Sequence, residues 1–217
     1  MFTFNPDNFL ARWLVKYFNM LLSFLLWIVC CVPIITVGAS STAYSSVLMR
    51  MAREADDISV FRHFIKSFSE NFKQATIVWI ILALAAAVGV SDLYAFRNVL
   101  VESSVMRTVL ILAVLFLCAC LATVMIYIFP VIARFQVTIK QAFRNALVMG
   151  FRKLPLTILF AVMLLSCLFL LYKLEMFAPF IIVIVMYAMA VLFTRIFAPF
   201  DGTQKKPGDR STEVQDA

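Results

Sequence analysis

The chain has 217 residues, of which 64% are hydrophobic and only 14% are charged. Soluble domains average about 45–50% apolar and about 25% charged residues, so this chain has too few charges to cover a water-soluble particle. The composition therefore argues against a soluble enzyme and favours an integral membrane protein. Because the apolar residues form long uninterrupted blocks, the net charge of +7 indicates contact with an anionic membrane surface rather than with nucleic acid.

Five apolar blocks are long enough to cross a hydrocarbon core, which is roughly 30 Å thick and needs about 20 helical residues. None of them has an Asp or Glu in its central part. The predicted spans are residues 15–32, 75–96, 105–129, 154–171 and 177–197. We expect an all-α membrane protein, a bundle of five transmembrane helices forming a single domain over residues 1–200. Residues 201–217 are polar and lack apolar periodicity, so they are predicted to form a disordered cytoplasmic tail.

The distribution of Lys and Arg predicts the orientation, since cytoplasmic connections are enriched in these residues. Alternating five spans places fourteen basic residues on one side and five on the other. We therefore expect the N-terminus outside and the C-terminus in the cytoplasm. In an alternative interpretation the first block is a cleaved signal peptide, because Arg12 and Lys16 precede it and residues 37–39 (VGA) follow it as a small-residue cleavage site.

The two cytoplasmic connections, after the first and third spans, each contain an amphipathic helical pattern. Aromatic residues recur there at spacings of three, four and eight, with basic and polar residues opposite them. The aromatic positions are Phe61, Phe64, Phe68, Phe72, Phe143 and Phe151. Both helices are predicted to run directly into the next span, and their similar spacing hints at a duplicated unit. They form either a docking surface for a partner or interfacial helices that brace the bundle on the lipid bilayer.

The segment after the first span is rich in small residues. Pro33 ends or kinks the span, and Gly38, Thr42 and Ser46 then recur at every fourth position. The Thr and Ser hydroxyls of this segment can bond the carbonyl groups that a kink frees. We predict a close helix packing motif made by Pro33, Thr36, Gly38 and Thr42. A polar substrate groove is the alternative.

No catalytic, cofactor or metal site is expected from the sequence. The single histidine, His63, falls on the polar side of the first amphipathic pattern and is expected to be solvated. The five cysteines are interpreted as packing residues, because the two close pairs occupy adjacent or alternate helical positions that point to different faces. The acidic run at residues 54–57 is interpreted as a partner of a helix N-terminus. The spans lack mid-membrane charges of the kind that ion-coupled transport usually needs.

Three segments carry a resemblance to a known family. Residues 33–39 (PIITVGA), 64–68 (FIKSF) and 71–76 (NFKQAT), the last leading into Trp79, resemble the YesL family. This is a family of bacterial membrane proteins classed as a domain of unknown function, and the resemblance covers residues 9–199.

Members of that family are often encoded beside permeases of carbohydrate ABC importers. The resemblance therefore implies an accessory protein of the bacterial plasma membrane that acts in oligosaccharide import or its regulation. Because the sequence has no recognisable catalytic or cofactor motif, we expect this protein to be non-enzymatic and without a cofactor. Its implied partners are carbohydrate ABC-transporter permease subunits. The alternative is a small permease that acts as a homo-oligomer.

Overall fold

A computed structural model describes residues 9–53, 59–98, 104–135, 137–173 and 178–197. Within these residues the chain forms seven α-helices, and a short 3-10 turn, Ile34–Thr36, joins the first two. The helices are α1 (Phe9–Cys31), α2 (Val37–Met51), α3 (Val60–Asn98), α4 (Ser104–Arg134), α5 (Ile139–Arg152), α6 (Leu154–Lys173) and α7 (Ala178–Phe197). The predicted tail at residues 201–217 lies outside the described residues.

The helices confirm the prediction of an all-α, multi-pass membrane protein. In the described part of the chain, four helices are long and apolar enough to cross a membrane, and α5 with α6 makes a fifth when that bent pair is counted as one span. Large apolar side chains such as Leu84, Phe116 and Leu165 are exposed on the outer faces of these helices. Such apolar faces are more favourable in hydrocarbon than in water. The helical backbone is also compatible with hydrocarbon, because a helix satisfies its own backbone hydrogen bonds.

The chain turns sharply between α1 and α2. Pro33 has no amide hydrogen to continue a helix, and the chain passes through the 3-10 turn that follows it. The hydroxyl oxygen of Thr36 lies 2.6 Å from the carbonyl oxygen of Cys30 and 2.7 Å from that of Pro33. The hydroxyl therefore supplies a donor to the carbonyl groups that the end of α1 leaves open.

The helix α2 runs back along α1 as an antiparallel hairpin, and it was not among the predicted spans. The indole N–H of Trp27 donates to the hydroxyl oxygen of Ser41 over 3.2 Å. One turn earlier in α1, the ring of Phe24 packs against that of Tyr44, with centroids 6.4 Å apart. From the first pair to the second, the residue number falls in α1 and rises in α2, so the two helices are antiparallel. The first residues of α1 and the last residues of α2 therefore lie at the same end of the hairpin.

The two amphipathic segments are connected differently to the helices that follow them. The first continues into its span as one helix of 39 residues, α3, as predicted. The second ends as α5, and α6 is bent away from it by 95°, so the predicted direct run into a span is wrong there. The backbone of Lys153 (φ −118°, ψ 40°) lies outside the helical region. Pro155 has no amide hydrogen to donate to the carbonyl oxygen of Phe151, so the hydrogen bonds of α5 cannot continue through it.

An aromatic cluster joins α4, α6 and α7. The rings of Tyr127 and Phe160 are fully buried, and the ring of Phe193 stacks on that of Phe160 with centroids 4.6 Å apart. Tyr127 meets both rings edge-on at 5.8 and 5.5 Å. Its hydroxyl lies 3.0 Å from the hydroxyl oxygen of Thr157. Aromatic pairs in these geometries stabilise a core beyond the effect of buried area alone.

Candidate functional site

The predicted packing motif lies at the contact between α2 and α3. A Cβ atom placed on Gly38 would overlap the carbonyl oxygen of Ala75 and would lie 2.7 Å from the Cβ of Trp79. The indole N–H of Trp79 in turn donates to the carbonyl oxygen of Ile34 over 2.9 Å. The absence of a side chain at Gly38 therefore lets the two helix backbones approach closely.

The other three residues of that motif lie in the turn or inside α2. Pro33 and Thr36 form the turn between α1 and α2, as described above. Thr42 is buried, and its hydroxyl donates to the carbonyl oxygen of Gly38 over 2.9 Å. Since this hydroxyl is engaged within its own helix, its one hydrogen is not available to a ligand.

Beside this contact, at the C-terminal end of α2, lies a cavity of about 680 Å³, which we call the polar cavity. Its walls come from the end of α2, the N-terminal half of α3, the end of α4 and the start of α5. Four cationic side chains and one carboxylate stand among the described residues that line it: Arg50, Arg53, Lys66, Arg134 and Glu70. The described lining is therefore strongly positive.

Buried polar residues of α3 and α4 form the inner wall of the polar cavity. Ser67 and Asn71 are both buried, one turn apart, and the side-chain amide of Asn71 donates to the carbonyl oxygen of Ser67 over 2.7 Å. Arg134 is only 7% exposed and lies in the last turn of α4, where a cation interacts favourably with the helix dipole. Further along α3, Val78 and Leu82 continue the same buried face as apolar residues. The polar cavity therefore lies where the inner face of α3 changes from polar to apolar.

His63 links α3 to α2 at one side of the polar cavity. Its Nδ1 lies 3.3 Å from a guanidinium nitrogen of Arg50, and its Nε2 lies 3.0 Å from the hydroxyl oxygen of Ser46. A guanidinium group can only donate, so Nδ1 accepts and a neutral imidazole carries its hydrogen on Nε2. The expectation that His63 is solvated is therefore wrong, because α2 packs against that face of α3.

The predicted aromatic stripe of α3 is divided between the interior and the surface. Phe64 is fully buried and Phe68 is partly buried, whereas Phe61 and Phe72 are exposed. The buried face instead follows Phe64, Ser67 and Asn71, which are three and four residues apart. Periodicity could not identify this face, because residues of other helices make it polar. Ser46 and Arg50 of α2 bond His63, and Arg134 of α4 lines the same cavity.

The start of the second amphipathic helix, α5, borders the polar cavity together with α3. The side-chain amide of Gln74 donates to the carbonyl oxygen of Val137 over 2.6 Å, just before α5 begins. A capping box made by Thr138 and Gln141 starts α5, and both residues line the cavity. On α5, Phe151 is half exposed and Phe143 packs partly buried against the core. The two predicted contact helices therefore border one common cavity.

A second cavity of about 300 Å³, the apolar cavity, lies between α1, α2, α4, α6 and α7. Aromatic and aliphatic side chains such as Trp27, Phe129 and Phe193 make most of its wall. Met49 is buried and lines both cavities, so its side chain stands between them.

The described residues were compared with the requirements of metal sites and disulfide bonds. No group of three or more His, Cys, Asp or Glu side chains close enough to hold a metal ion is found among them. The five cysteines, all of which fall in the described helices, are free thiols. The acidic run at residues 54–57 lies outside the described residues.

Comparison with known proteins gives one family match. Residues 17–93, which extend from α1 into α3, match the family described as "Protein of unknown function, DUF624". The matched segment includes α2, the α2–α3 contact and the wall that both helices contribute to the polar cavity. No curated protein and no solved structure matches the chain. Residues 17–93 are thus similar to the DUF624 family, and the resemblance to the YesL family stays a prediction.

Proposed function

We propose that this protein is a non-enzymatic accessory protein of carbohydrate import, which binds the permease subunits of an ABC importer. The carbohydrate importer comes from the resemblance to the YesL family, and the mode of contact comes from the arrangement of the helices. The observation that carries the proposal is that the start of α5 and the N-terminal half of α3 border one cavity at one end of the bundle.

The surface at that end suits contact with another membrane protein. Phe61 is 59% exposed on α3, and Phe151 is 50% exposed on α5. Basic residues that include Arg62, Lys73 and Arg144 are exposed on the same two helices. Aromatic and arginine side chains contribute a large share of binding energy at protein interfaces. We propose that this end faces the cytoplasm, since both basic connections belong to it.

Site-specific photocrosslinking tests this proposal in cells of the source bacterium. A crosslinking amino acid at Phe61, Ile65 or Phe151 is expected to capture permease subunits. Matched controls are Tyr94 and Tyr172, which are 72% and 79% exposed near the other ends of α3 and α6. Tyr94 lies about 50 Å along α3 from Phe61, at a rise of about 1.5 Å per residue.

Purification of tagged protein in a mild detergent, with the captured proteins identified by mass spectrometry, gives the result. Enrichment of permease subunits from the first three positions but not from the two controls supports the proposal. Recovery of permease subunits from none of the five positions would falsify the proposal. Equal recovery from the three test positions and the two controls would also falsify it.

The alternative function is a small permease that acts as a homo-oligomer. The apolar cavity between five helices favours it, because hydroxyl groups of Ser41 and Ser45 stand there among aromatic rings. Vesicles that contain only this protein should take up labelled oligosaccharide if it is a permease. The accessory function predicts no uptake until the importer subunits are added.

A further inference from the structure

We propose that the apolar cavity is a binding site for a neutral, lipid-soluble alcohol, a molecule with one hydroxyl group on an aliphatic chain. The observations that carry the proposal are a buried tyrosine hydroxyl without a partner and a proline inside α4, both at the wall of this cavity. The proposal depends on neither the accessory function nor the permease function, because it concerns this cavity alone.

The wall of the apolar cavity excludes a charged ligand. No Lys, Arg, His, Asp or Glu occurs among the described residues that line it. A charged group moved from water into such a site would lose its hydration without gaining a counter-ion. The buried Met49 separates this cavity from the cationic side chains of the polar cavity. A molecule bound there is therefore uncharged and mostly apolar.

The size of the apolar cavity fits a short aliphatic chain. Its volume of about 300 Å³ is about twice that of an engineered apolar cavity of about 150 Å³, in another protein, that stays dry and binds benzene. Met125 and Met186 belong to the wall, and unbranched methionine side chains adapt to an irregular ligand. Met125, Leu164 and Ile182 line the cavity and are partly exposed, so a molecule dissolved in the surrounding hydrocarbon can reach it.

Tyr44 supplies a hydrogen-bond donor without a partner at this wall. It lines the cavity and is only 6% exposed, and its hydroxyl is buried with no hydrogen-bond partner among the described residues. The hydroxyls of Ser41 and Ser45 on the same wall are engaged, because Ser41 accepts from Trp27 and Ser45 donates to the carbonyl oxygen of Ser41. Buried polar groups are nearly always hydrogen-bonded, so the Tyr44 hydroxyl indicates a partner that is not part of the chain. An oxygen atom of a ligand in the cavity would supply it.

Pro130 leaves an acceptor on the wall that α4 contributes. It lies inside α4 and has no amide hydrogen, so the regular helical hydrogen bond to the carbonyl oxygen of Ile126 cannot form. Both residues line the apolar cavity. An alcohol can accept a hydrogen bond from Tyr44 and donate one to this carbonyl group, whereas an ether or a ketone can only accept. The wall therefore favours a hydroxyl group as the polar end of the ligand.

Three probes separate the effect of the hydroxyl group from that of the aliphatic chain. They are 1-decanol, undecane and 1-methoxynonane, which have the same number of non-hydrogen atoms. Each is added at the same concentration to the purified full-length protein in a nonionic detergent, and the rise in unfolding temperature reports binding, since a ligand of the folded state stabilises it. We expect decanol to bind about two- to tenfold more tightly than undecane, which is the effect of a net hydrogen bond. Binding of undecane or of the ether as tight as that of decanol, or no binding of decanol, would overturn the assignment to an alcohol.

Tyr44→Phe tests the location of the site. Without a probe this variant should unfold at or slightly above the wild-type temperature, because it removes a buried hydroxyl that has no partner in the described structure. It should bind decanol no more tightly than undecane. Tyr17→Phe is the matched control, because the hydroxyl of Tyr17 is likewise buried without a partner in the described part of the chain, and Tyr17 does not line the apolar cavity. This control variant should keep the wild-type preference for decanol.

Three outcomes of the variant experiment would contradict the site. The first is a preference for decanol that persists in Tyr44→Phe, and the second is its loss in both variants. The third is a clearly lower unfolding temperature of Tyr44→Phe without a probe, which would show that the hydroxyl already has a partner within the protein.

Discussion

Replacing Gly38 by Ala tests the close contact of α2 with α3 at the level of one methyl group. The new Cβ would overlap the carbonyl oxygen of Ala75 and lie 2.7 Å from the Cβ of Trp79. A backbone carbonyl cannot rotate away as a flexible side chain can, so the two helices must separate. Overpacking of this kind typically costs about 1–3 kcal/mol, and we expect the upper half of that range here.

Part of that cost is offset, because Ala is favoured over Gly in a helix by about 1 kcal/mol. The expected net loss for Gly38→Ala is about 1–2 kcal/mol. For a chain of this length a change of 1 kcal/mol shifts the unfolding temperature by about 2–4 °C, so Tm should fall by about 2–8 °C. Gly38→Leu should lower it further.

Gly89→Ala is the matched control for this prediction. Gly89 is also a buried helical glycine, but a Cβ there would lie 3.7 Å from the Sγ of Cys118, which is an ordinary contact. Its unfolding temperature should stay unchanged or rise slightly. Thermal unfolding in detergent, followed by tryptophan fluorescence, measures both variants. A Gly38→Ala protein that unfolds at or above the wild-type temperature, or a Gly89→Ala protein destabilised as strongly, would refute the reasoning.

Three further predictions concern other parts of the bundle. Tyr127→Phe removes the hydroxyl contact with Thr157 and should destabilise the protein by about 0.5–1.5 kcal/mol in the same unfolding assay, whereas an unchanged Tm would contradict a role for that contact. Phe68→Asp should lower Tm, because Phe68 packs against the core. Phe61→Asp should leave Tm nearly unchanged, because Phe61 is exposed. Similar effects of the two variants on Tm would contradict the division of the aromatic stripe between interior and surface. The α1–α2 hairpin predicts that cysteines placed before α1 and after α2 react with an impermeant thiol reagent from the same side of the membrane, on a background without native cysteines. Labelling from opposite sides would instead support the N-terminus outside and the loop after α2 in the cytoplasm.

The spans could be predicted because hydropathy is a local property of the sequence. The predicted block at 154–171 coincides closely with α6, and the block at 177–197 with α7. Hydrocarbon requires long apolar helices regardless of their neighbours, so composition and block length were sufficient to identify them. The break after α5 was missed although Pro155 signals it, because the aromatic spacing of α5 had suggested continuity with the next helix.

The helix α2 could not be recognised as a central element from hydropathy. Its sequence is rich in Ser, Thr and Ala, and yet most of its residues are buried. Buried hydroxyls bond backbone carbonyl oxygens one turn earlier, as Ser40 and Thr42 do with Thr36 and Gly38, which lowers the cost of burying them. Small side chains then allow the close approach of α3, which the sequence pattern could suggest but could not assign to a partner.

The amino-acid sequence by itself determined that this chain is an all-α membrane protein, where its apolar helices lie and which connections are basic, because each of these follows from residues close together in the chain. Only the tertiary structure decided that α2 folds back on α1, that His63 bonds Arg50 and Ser46, and that Arg50, Lys66 and Arg134 line one cavity. Those residues are separated by up to 84 positions, and no local pattern specifies which helix faces meet. The polar cavity therefore exists only through the packing of α2, α3, α4 and α5, where cations from distant parts of the sequence come together.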